Sequence, residues 1–526
     1  MTRPLRPGDG DFTWVVSLTF AGVVWRWTSE ADPADFTSWT GRFGGNVAVD
    51  DIAEQISLRG EVPNPSVSVT VQFPDDWPVA ARVAEGHRLD GAPVELALVP
   101  MTSADLEADR YVVFVGYVAD PTYGGPDEPV AFEARRYEHG DRALYPPGTW
   151  KVSDLTWPLV DVSPVVPAGI PTPDLTRTYS PADDALDQPY PVPFGQQAAA
   201  LPAVTALVVS ETNDEPPRAT TLLVAGGHTE TTCTLWYEDE AGDWQSITGA
   251  TVEHDFDGLG QPVSVVDLSS QTNTIREARP WLTSWPNGST STPGDGVLRG
   301  AGQIGTWLLR QSSVPAGLVA PGSASSLLDA YDMAGGLSDA VEPMAWLADR
   351  IVGPLPAALL TTDAGELQLA PIRWQGTAAD AVAALVAGDS TVERVGPVAL
   401  NADGRARTVT VSYARHAGTK TSTATAYRVA VDRPDTVAVE VEADHPEIYD
   451  ERSAHLVAEW LAWRETRPHP EIRLILATDS WAWLQAGDVV TYTEPDLYLE
   501  AVPCIVLEVD RTTAATMSVV LTPTAG

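Results

Sequence analysis

The stretch Asp479–Asp496, DSWAWLQAGDVVTYTEPD, joins two kinds of sequence that seldom meet. Trp481 and Trp483 flank an alanine, and Gly487-Asp488 then leads into the alternating run Val489-Val490-Thr491-Tyr492-Thr493. Alternation at period two makes a strand with one buried face. The Gly-Asp pair supplies a turn that admits positive φ. The tryptophans ahead of it suit one mouth of a small barrel. A second region far upstream has the same order of parts. RLDGAPVELALV (88–99) aligns with WLQAGDVVTYTE (483–494), VVFVGYVAD (112–120) with PCIVLEVD (503–510), and PVAFEA (129–134) with SVVLTP (518–523). This order predicts one strand unit used twice.

Length and composition frame that reading. A chain of 526 residues exceeds a single core; at about 150 residues per domain it holds three or four. Hydrophobic residues at 44% and charged residues at 20% mark a globular protein. The 41 glycines and 44 prolines exceed what long helices tolerate, and frequent Val, Thr and Trp point to β structure with many turns. The net charge is −40, and Lys151 and Lys420 are the two lysines. Stable binding of nucleic acid by its phosphates needs a basic stripe, which such acidity opposes. Salt adaptation and a functional role for the acidity both remain open. Cys233 and Cys504 stand too far apart for a metal clip and read as buried free thiols. Arg3 and Arg6 ahead of the apolar run Trp14–Trp25 imitate a secretion signal. Asp9 and Asp11 break the basic region, however, and Ser17 and Thr19 alternate with apolar neighbours as in a strand. No run approaches 18 apolar residues, so no membrane-spanning helix is expected.

Residues 1–148 alternate throughout, as in TWVVSLTF, GVVWRW, SVSVTVQF and RYVVFVGYV, between Gly, Pro and Asp turns. A short helix is predicted around Trp77–Glu85, with Pro78 in its first turn. Prolines crowd the segment from Pro146 to Pro193 and predict an extended connector. Strands return from Val204 to Leu268, where CTLWYEDE and DWQSITGATV form a hairpin around Ala241-Gly242. Helical periodicity follows in GVLRGAGQIGTWLLRQS, in SASSLLDAYDMAGGLS up to Gly335-Gly336, and in EPMAWLADRIVGPL with Met344, Leu347 and Ile351 on one face. ALLTTDAGELQLAPI is a hairpin turning at Asp363-Ala364-Gly365, and Thr408–Val439 alternates again. DERSAHLVAEWLAWRETR is the clearest helix, about 450–467, with Leu456, Trp460, Leu461 and Arg464 along it and a stop at Arg467-Pro468.

Here a resemblance enters. GAPVELALV, YVVFVGYVADP and PVAFEA resemble the first tube-forming domain of baseplate hub, or tail-tip, proteins of tailed phages (siphophages) and gene transfer agents. LAWRETRPHPEIRLILATDSWAWLQAGDVVTYT is similar to their C-terminal part. PYPVPFGQQ (189–197) resembles a YP-x-x-FG connector in these chains, and VEPMAWLADRIVGPLPAALLTTDAGELQL resembles their middle domain. The resemblance implies a mainly β fold with α+β parts: two tube-type β-barrel domains plus inserted β-rich and small α/β domains. The expected division is an N-terminal tube-type barrel at 1–148, a Pro-rich connector at 149–203 and an inserted β-rich domain at 204–300. A helical α+β middle domain at 301–400 and a C-terminal tube-type barrel at 401–526 complete it. The resemblance does not extend to the 205–300 region.

The chain lacks His-Glu-x-x-His, Gly-x-Ser-x-Gly, Ser-x-x-Lys and a phosphate-binding glycine loop. Cys233 followed by His254 has a cysteine-peptidase order, but Cys233 lies mid-strand beside Trp236 and reads as structural. His254, Asp255 and Asp257 in HDFDG stand within reach of a cation, and a solvated turn explains them equally. The carboxylates of DHPE (444–447) suit a helix N-terminus. NADGRA (401–406) lacks the later ligands of a calcium loop. The expectation is therefore no catalytic, metal or cofactor-binding residue and no cofactor. The resemblance implies a non-enzymatic, acidic virion protein, a homotrimer at the tail tip, assembled in the host cytoplasm. It would close the tail tube, let DNA pass, and contact the distal tail or tube protein, the tape measure C-terminus and a tail fibre or receptor-binding protein. Two rivals remain: a secreted β-rich carbohydrate-binding protein or hydrolase of a salt-adapted bacterium, and a tail protein with a peptidoglycan-cleaving insert at 205–300.

Overall fold

The computed structural model describes residues 12–28, 48–50, 53–56, 58, 66–73, 79–100, 110–123, 129–137, 159–162, 176–179, 187–194, 206–211, 219–226, 228–229, 232–256, 263–268, 275, 277–281, 284–285, 298–312, 314–320, 327–337, 341–362, 365–400, 406–413, 415–416, 421–422, 426–430, 439–511 and 515–525. The chain is mainly β and multidomain, with several curled half-barrel sheets.

The first sheet is made from Phe12–Phe20 (β1), Val23–Thr28 (β2), Ala48–Asp50 (β3), Ser66–Val71 (β5), Pro93–Pro100 (β6), Tyr111–Tyr123 (β7) and Val130–Arg136 (β8). Ala53–Gln55 (β4) leaves for another sheet, and Val79–Ala84 (α1) bridges β5 and β6. The order is β2-β1-β6-β7-β8-β5-β3. Period-two alternation turns Val67, Val69, Leu96, Leu98, Phe114 and Phe132 into one core. Trp25 and Trp27 stack at 6.2 Å, and both meet Phe73 edge-on.

Part of the Pro-rich connector is regular: Leu159–Val162 (β9) pairs with Thr176–Tyr179 (β10), and Val192–Phe194 (β11) pairs with Gly335–Leu337. Next come Leu207–Glu211 (β12), Ala219–Gly226 (β13), His228–Thr229 (β14), Thr232–Glu238 (β15), Trp244–Phe256 (β16), Val263–Asp267 (β17), Glu277–Trp281 (β18) and Ser284–Trp285 (β19). Six of these form the antiparallel sheet β12-β13-β17-β16-β15-β18, with its own core around Leu222, Leu235 and Val266. The expected β15–β16 hairpin turns at Gly242, φ +86°.

The middle region holds Ala301–Gln311 (α2), Gly335–Leu337 (β20), Pro343–Leu347 (α3) continuing as a π turn to Val352, Ala357–Thr361 (β21) and Leu367–Pro371 (β22). Of the helix expected in SASSLLDAYDMAGGLS (323–338), the described residues 327–337 form one 3-10 turn, Leu328–Ala330, followed by extended chain. Flanking backbone claims its donors: Met333 N–H bonds to Arg299 O at 2.8 Å and Ala334 N–H to Glu447 O at 2.8 Å.

The remaining elements are Ala383–Val386 (β23), Val392–Arg394 (β24), Ala399–Leu400 (β25), Ala406–Tyr413 (β26), Arg415–His416 (β27), Thr421–Ser422 (β28), Ala426–Ala430 (β29), Val439–His445 (β30) and Glu451–Thr466 (α4). Pro470–Ala477 (β31), Thr478–Trp481 (α5), Val489–Glu494 (β32), Leu499–Asp510 (β33) and Thr516–Pro523 (β34) follow. The last large sheet runs β23-β32-β33-β34-β31-β24, with β25 on β31 and β4 on β33. Alternation identified strands here but not their sheets. Residues 383–400, expected with the middle domain, hydrogen-bond into this C-terminal sheet. Conversely Val409, Val411, Trp460 and Leu461, expected with the C-terminal barrel, share a core with Leu308, Leu347 and Leu369. Asp450 caps α4 by accepting the Ser453 N–H at 2.9 Å.

Candidate assembly site, one strand unit used twice

The geometry starts at two turns. Gly91 (φ +80°) and Gly487 (φ +89°) both occupy the left-handed region that glycine favours. In the first turn Ala92 N–H bonds to Leu89 O at 3.0 Å; in the second Asp488 N–H bonds to Gln485 O at 3.2 Å. Each glycine then engages the second strand of the following hairpin. Gly91 N–H bonds to Val118 O at 2.8 Å, and Val118 N–H returns to Ala92 O at 2.9 Å. Gly487 N–H bonds to Val506 O at 2.8 Å, and Val506 N–H returns to Asp488 O at 2.9 Å. The two clasps have the same bonds at the same offsets.

From these clasps the register propagates through both sheets. Val94 faces Gly116 as Val490 faces Cys504. Gly116, Tyr117 and Val118 face Arg136, Arg135 and Ala134, as Cys504, Ile505 and Val506 face Pro523, Thr522 and Leu521. Val67 to Val71 run against Ala134 to Val130, as Ile472 to Leu476 run against Leu521 to Met517. Even the outer strand agrees: Ala48 faces Thr70 as Glu393 faces Ile475. Thus β3, β5, α1, β6, β7 and β8 correspond in order to β24, β31, α5, β32, β33 and β34. The second copy carries the sheet β29-β26-β30 and α4 between its first two strands. Outside the shared unit the copies differ: β1 lies antiparallel to β6, whereas β23 lies parallel to β32.

The duplicated segments are those paired from the sequence, but their register is corrected. End-to-end alignment set Gly91 against Ala486, a one-residue slip that would exchange the two faces of the strand. The clasps set Gly91 against Gly487, and they place Val118 against Val506 two residues from the expected match. Aligning on glycine instead of leucine carried the right signal. The correspondence of β3 with β24 and of β5 with β31 was missed, because the pairs share only alternation.

The two copies are joined. Strand β4 leaves the first sheet and pairs with β33, Ala53 to Gln55 facing Asp510 to Glu508, and Ile56 N–H bonds to Leu507 O at 2.7 Å. Tyr111 packs against both the first core and the last, and Ala482 enters the first core.

Within the last sheet Trp483 is 8% exposed and Trp481 packs beside it, their rings 6.0 Å apart. The Arg511 guanidinium, buried, donates to the carbonyl of Leu484 and so pins the turn that holds them. Arg394 donates to Glu494 at 2.6 Å and the Tyr492 hydroxyl to the same carboxylate at 2.7 Å. Burial, then this hydrogen bond, raises the Tyr492 pKa.

Cys233 and Cys504 are free and buried, and burial pushes each thiol up to about 12, which leaves it un-ionised at neutral pH. The side chains of His254, Asp255 and Asp257, and all of 401–405, lie outside the described residues. DHPE departs from expectation: Glu447 is paired with Arg350 at 3.3 Å, and Asp450 provides the helix cap. Among the described residues no group of three His, Cys, Asp or Glu side chains could hold a metal ion, and no helix is long and apolar enough to cross a membrane.

The chain thus holds two register-matched, curled strand units, joined by β4 on β33. No protein-family model matches the sequence, and no curated protein matches it significantly. Among solved structures, a tail protein from Neisseria meningitidis is similar at TM-score 0.40 and 9% identity, covering 98% of this chain and 97% of that one. A prophage MuSo2 tail protein from Shewanella oneidensis gives TM-score 0.38 at 9% identity, covering 97% of each chain. A chain of the native gene transfer agent virion gives 0.40 at 13% identity, covering 67% of this chain and 88% of that one.

Proposed function

We propose that the chain is a non-enzymatic hub protein at the tip of a phage-type tail. Three copies would place six related strand units in a ring, continuing a six-fold tail tube through which DNA passes. The observation that carries this reading is the repeated unit: five strands in one order and one register, twice in one chain. Among the described residues β3 and β24 each end their sheet, and such an edge suits pairing with neighbours. The distal tail or tube protein and the tape measure C-terminus would meet the ring on its tail side, and a fibre or receptor-binding protein beyond it. A channel wall that is acidic or neutral would let DNA slide, since each arginine on a phosphate adds affinity.

Negative-stain imaging with mass measurement of the purified chain tests the proposal. The expected particle is a three-fold ring with a central hole and three times the 56.1 kDa chain mass. Six copies per ring, or a two-fold particle, would reject it.

A further inference from the structure

We infer that successive copies of this chain meet head to tail, with the β32–β33 tip of one copy seated on the turn between α1 and β6 of the next. The inference rests on the ring reading and assigns its subunit joint to named residues.

The chain contains its own template for that joint. Its first unit meets its second through Tyr111, the first residue of β7, and through Ala482, in the turn that follows α5. The register maps both sides onto the other copy. Leu98 faces Tyr111 as Glu494 faces Leu499, so Leu499 and the adjoining Tyr498 stand where Tyr111 and Arg110 stand in the first unit. The turn after α5 corresponds to the turn after α1, at Glu85–Arg88. If every unit meets its neighbour alike, the Tyr498 end of one chain reaches the Arg88 end of the next.

Those two ends are presented to solvent. Tyr498 is 96% exposed at φ +57°, with Ala501 also at positive φ beside it. A bulky aromatic held outward by a backbone conformation that side chains disfavour is a feature that a bound neighbour would account for. On the other side Gly86, His87 and Arg88 are exposed, and Tyr123 at the end of β7 is 40% exposed. The charges are complementary. Asp496 and Glu500 flank Tyr498, whereas Arg88 is exposed in a chain with only 32 Lys and Arg residues against 72 acidic. Of the acidic groups in the receiving turn, Glu85 is engaged by Arg82 at 2.9 Å, which leaves Asp90 as its other exposed acid. A heterologous contact of this kind closes into a ring when the rotation permits.

Cysteine cross-linking of the full-length chain tests the joint, because the native thiols are buried and give little background. A Tyr498→Cys chain mixed with an Arg88→Cys chain should give a covalent dimer containing one of each under mild oxidation. A chain carrying both substitutions should run on to a closed covalent ring. Separately, Tyr498→Ser with Arg88→Glu should weaken self-association at least about ten-fold by sedimentation. If the wild-type chain assembles but the 498–88 link does not form, the joint is wrong and the ring reading stands. Linkage of 498 to 498 would instead indicate a two-fold contact and overturn the joint. A wild-type chain that stays monomeric at cross-linking concentrations would overturn both.

Discussion

At the scale of single residues, Gly91 and Gly487 perform the same backbone task in different surroundings. A Cβ at Gly91 would meet open space, whereas one at Gly487 would lie 3.2 Å from both Ile56 and Leu360. Left-handed φ costs an L-residue about 1–2 kcal/mol at either site. Gly91→Ala should lose roughly that amount, and Gly487→Ala should lose more because its neighbours must move. Urea denaturation of the two variants gives the comparison, and equal losses would mean that the crowding has no energetic weight. His445 offers a pH test. It is buried, and burial pulls its imidazole from 6.5 down to about 4, opposed by Asp444 and aided by Arg350 and Arg464. The unfolded chain takes up this proton first, so the stability His445 contributes is full above about 6.5 and is lost as pH falls toward 4. Glu447 works in the other direction: burial raises its carboxyl, so its protonation favours the folded state as pH falls. His445→Gln removes the histidine part alone. Relative to wild type, the variant should gain about 3 kcal/mol between pH 7 and pH 4. A difference that stays constant with pH would show that His445 does not titrate in this range.

At the scale of elements, the sequence was most informative where one short-range rule decides the outcome. Asp450 and Arg467-Pro468 bracket α4, and the Gly365 and Gly242 turns fall where the hairpins required them. Alternation found β31 and β32, each with one mainly buried face, and it also found β1, β6, β33 and β34, which bury both faces along part of their length. It did not say which sheet a strand joins, since a half-buried strand carries the same pattern beside any partner. Residues 383–400 therefore joined the C-terminal sheet, while Val409, Val411 and Tyr413 joined the middle core. SASSLLDAYDMAGGLS failed for a different reason, because its long-range backbone partners at Arg299 and Glu447 outweigh local helical spacing. The repeated unit was legible as a set of segments, and its register emerged only from the glycine clasps. Strand β4 is the element whose role no local rule announces. Ile56→Pro removes the donor that bonds Leu507 O and takes a buried side chain from the core. Calorimetry should then show unfolding of the two sheets as separate transitions, where the wild type shows a more concerted one. A shift of the same profile to lower temperature would mean that the sheets are coupled through Tyr111 and Ala482 instead.

At the scale of the whole molecule, charge dominates. Each chain carries −40, so the proposed ring of three would carry three times that, or −120, within one particle. Like charges at fixed spacing repel over a distance set by ionic strength, about 10 Å at 0.1 M salt and about 30 Å at 0.01 M. Below ~0.1 M, repulsion between copies therefore acts across whole subunits, while at molar salt it is confined to groups in contact. Ion pairs such as Arg135 with Asp120 and Glu133 weaken over the same range, but they lie on the surface and each contributes little. The half-buried Arg394–Glu494 pair, in which only Glu494 is buried, is less exposed to screening. Net repulsion is consequently the larger salt-dependent effect, and both assembly and thermal stability should rise from low to molar sodium chloride. Assembly should respond more steeply, because it brings complete −40 bodies together whereas folding only compacts one. The comparison is made by following melting temperature and sedimentation across one salt series. Assembly that is flat or falling with salt would mean that local pairs such as Arg88 with Asp496 outweigh the net charge, and neutralising Asp496 would then have to weaken the ring most at low salt.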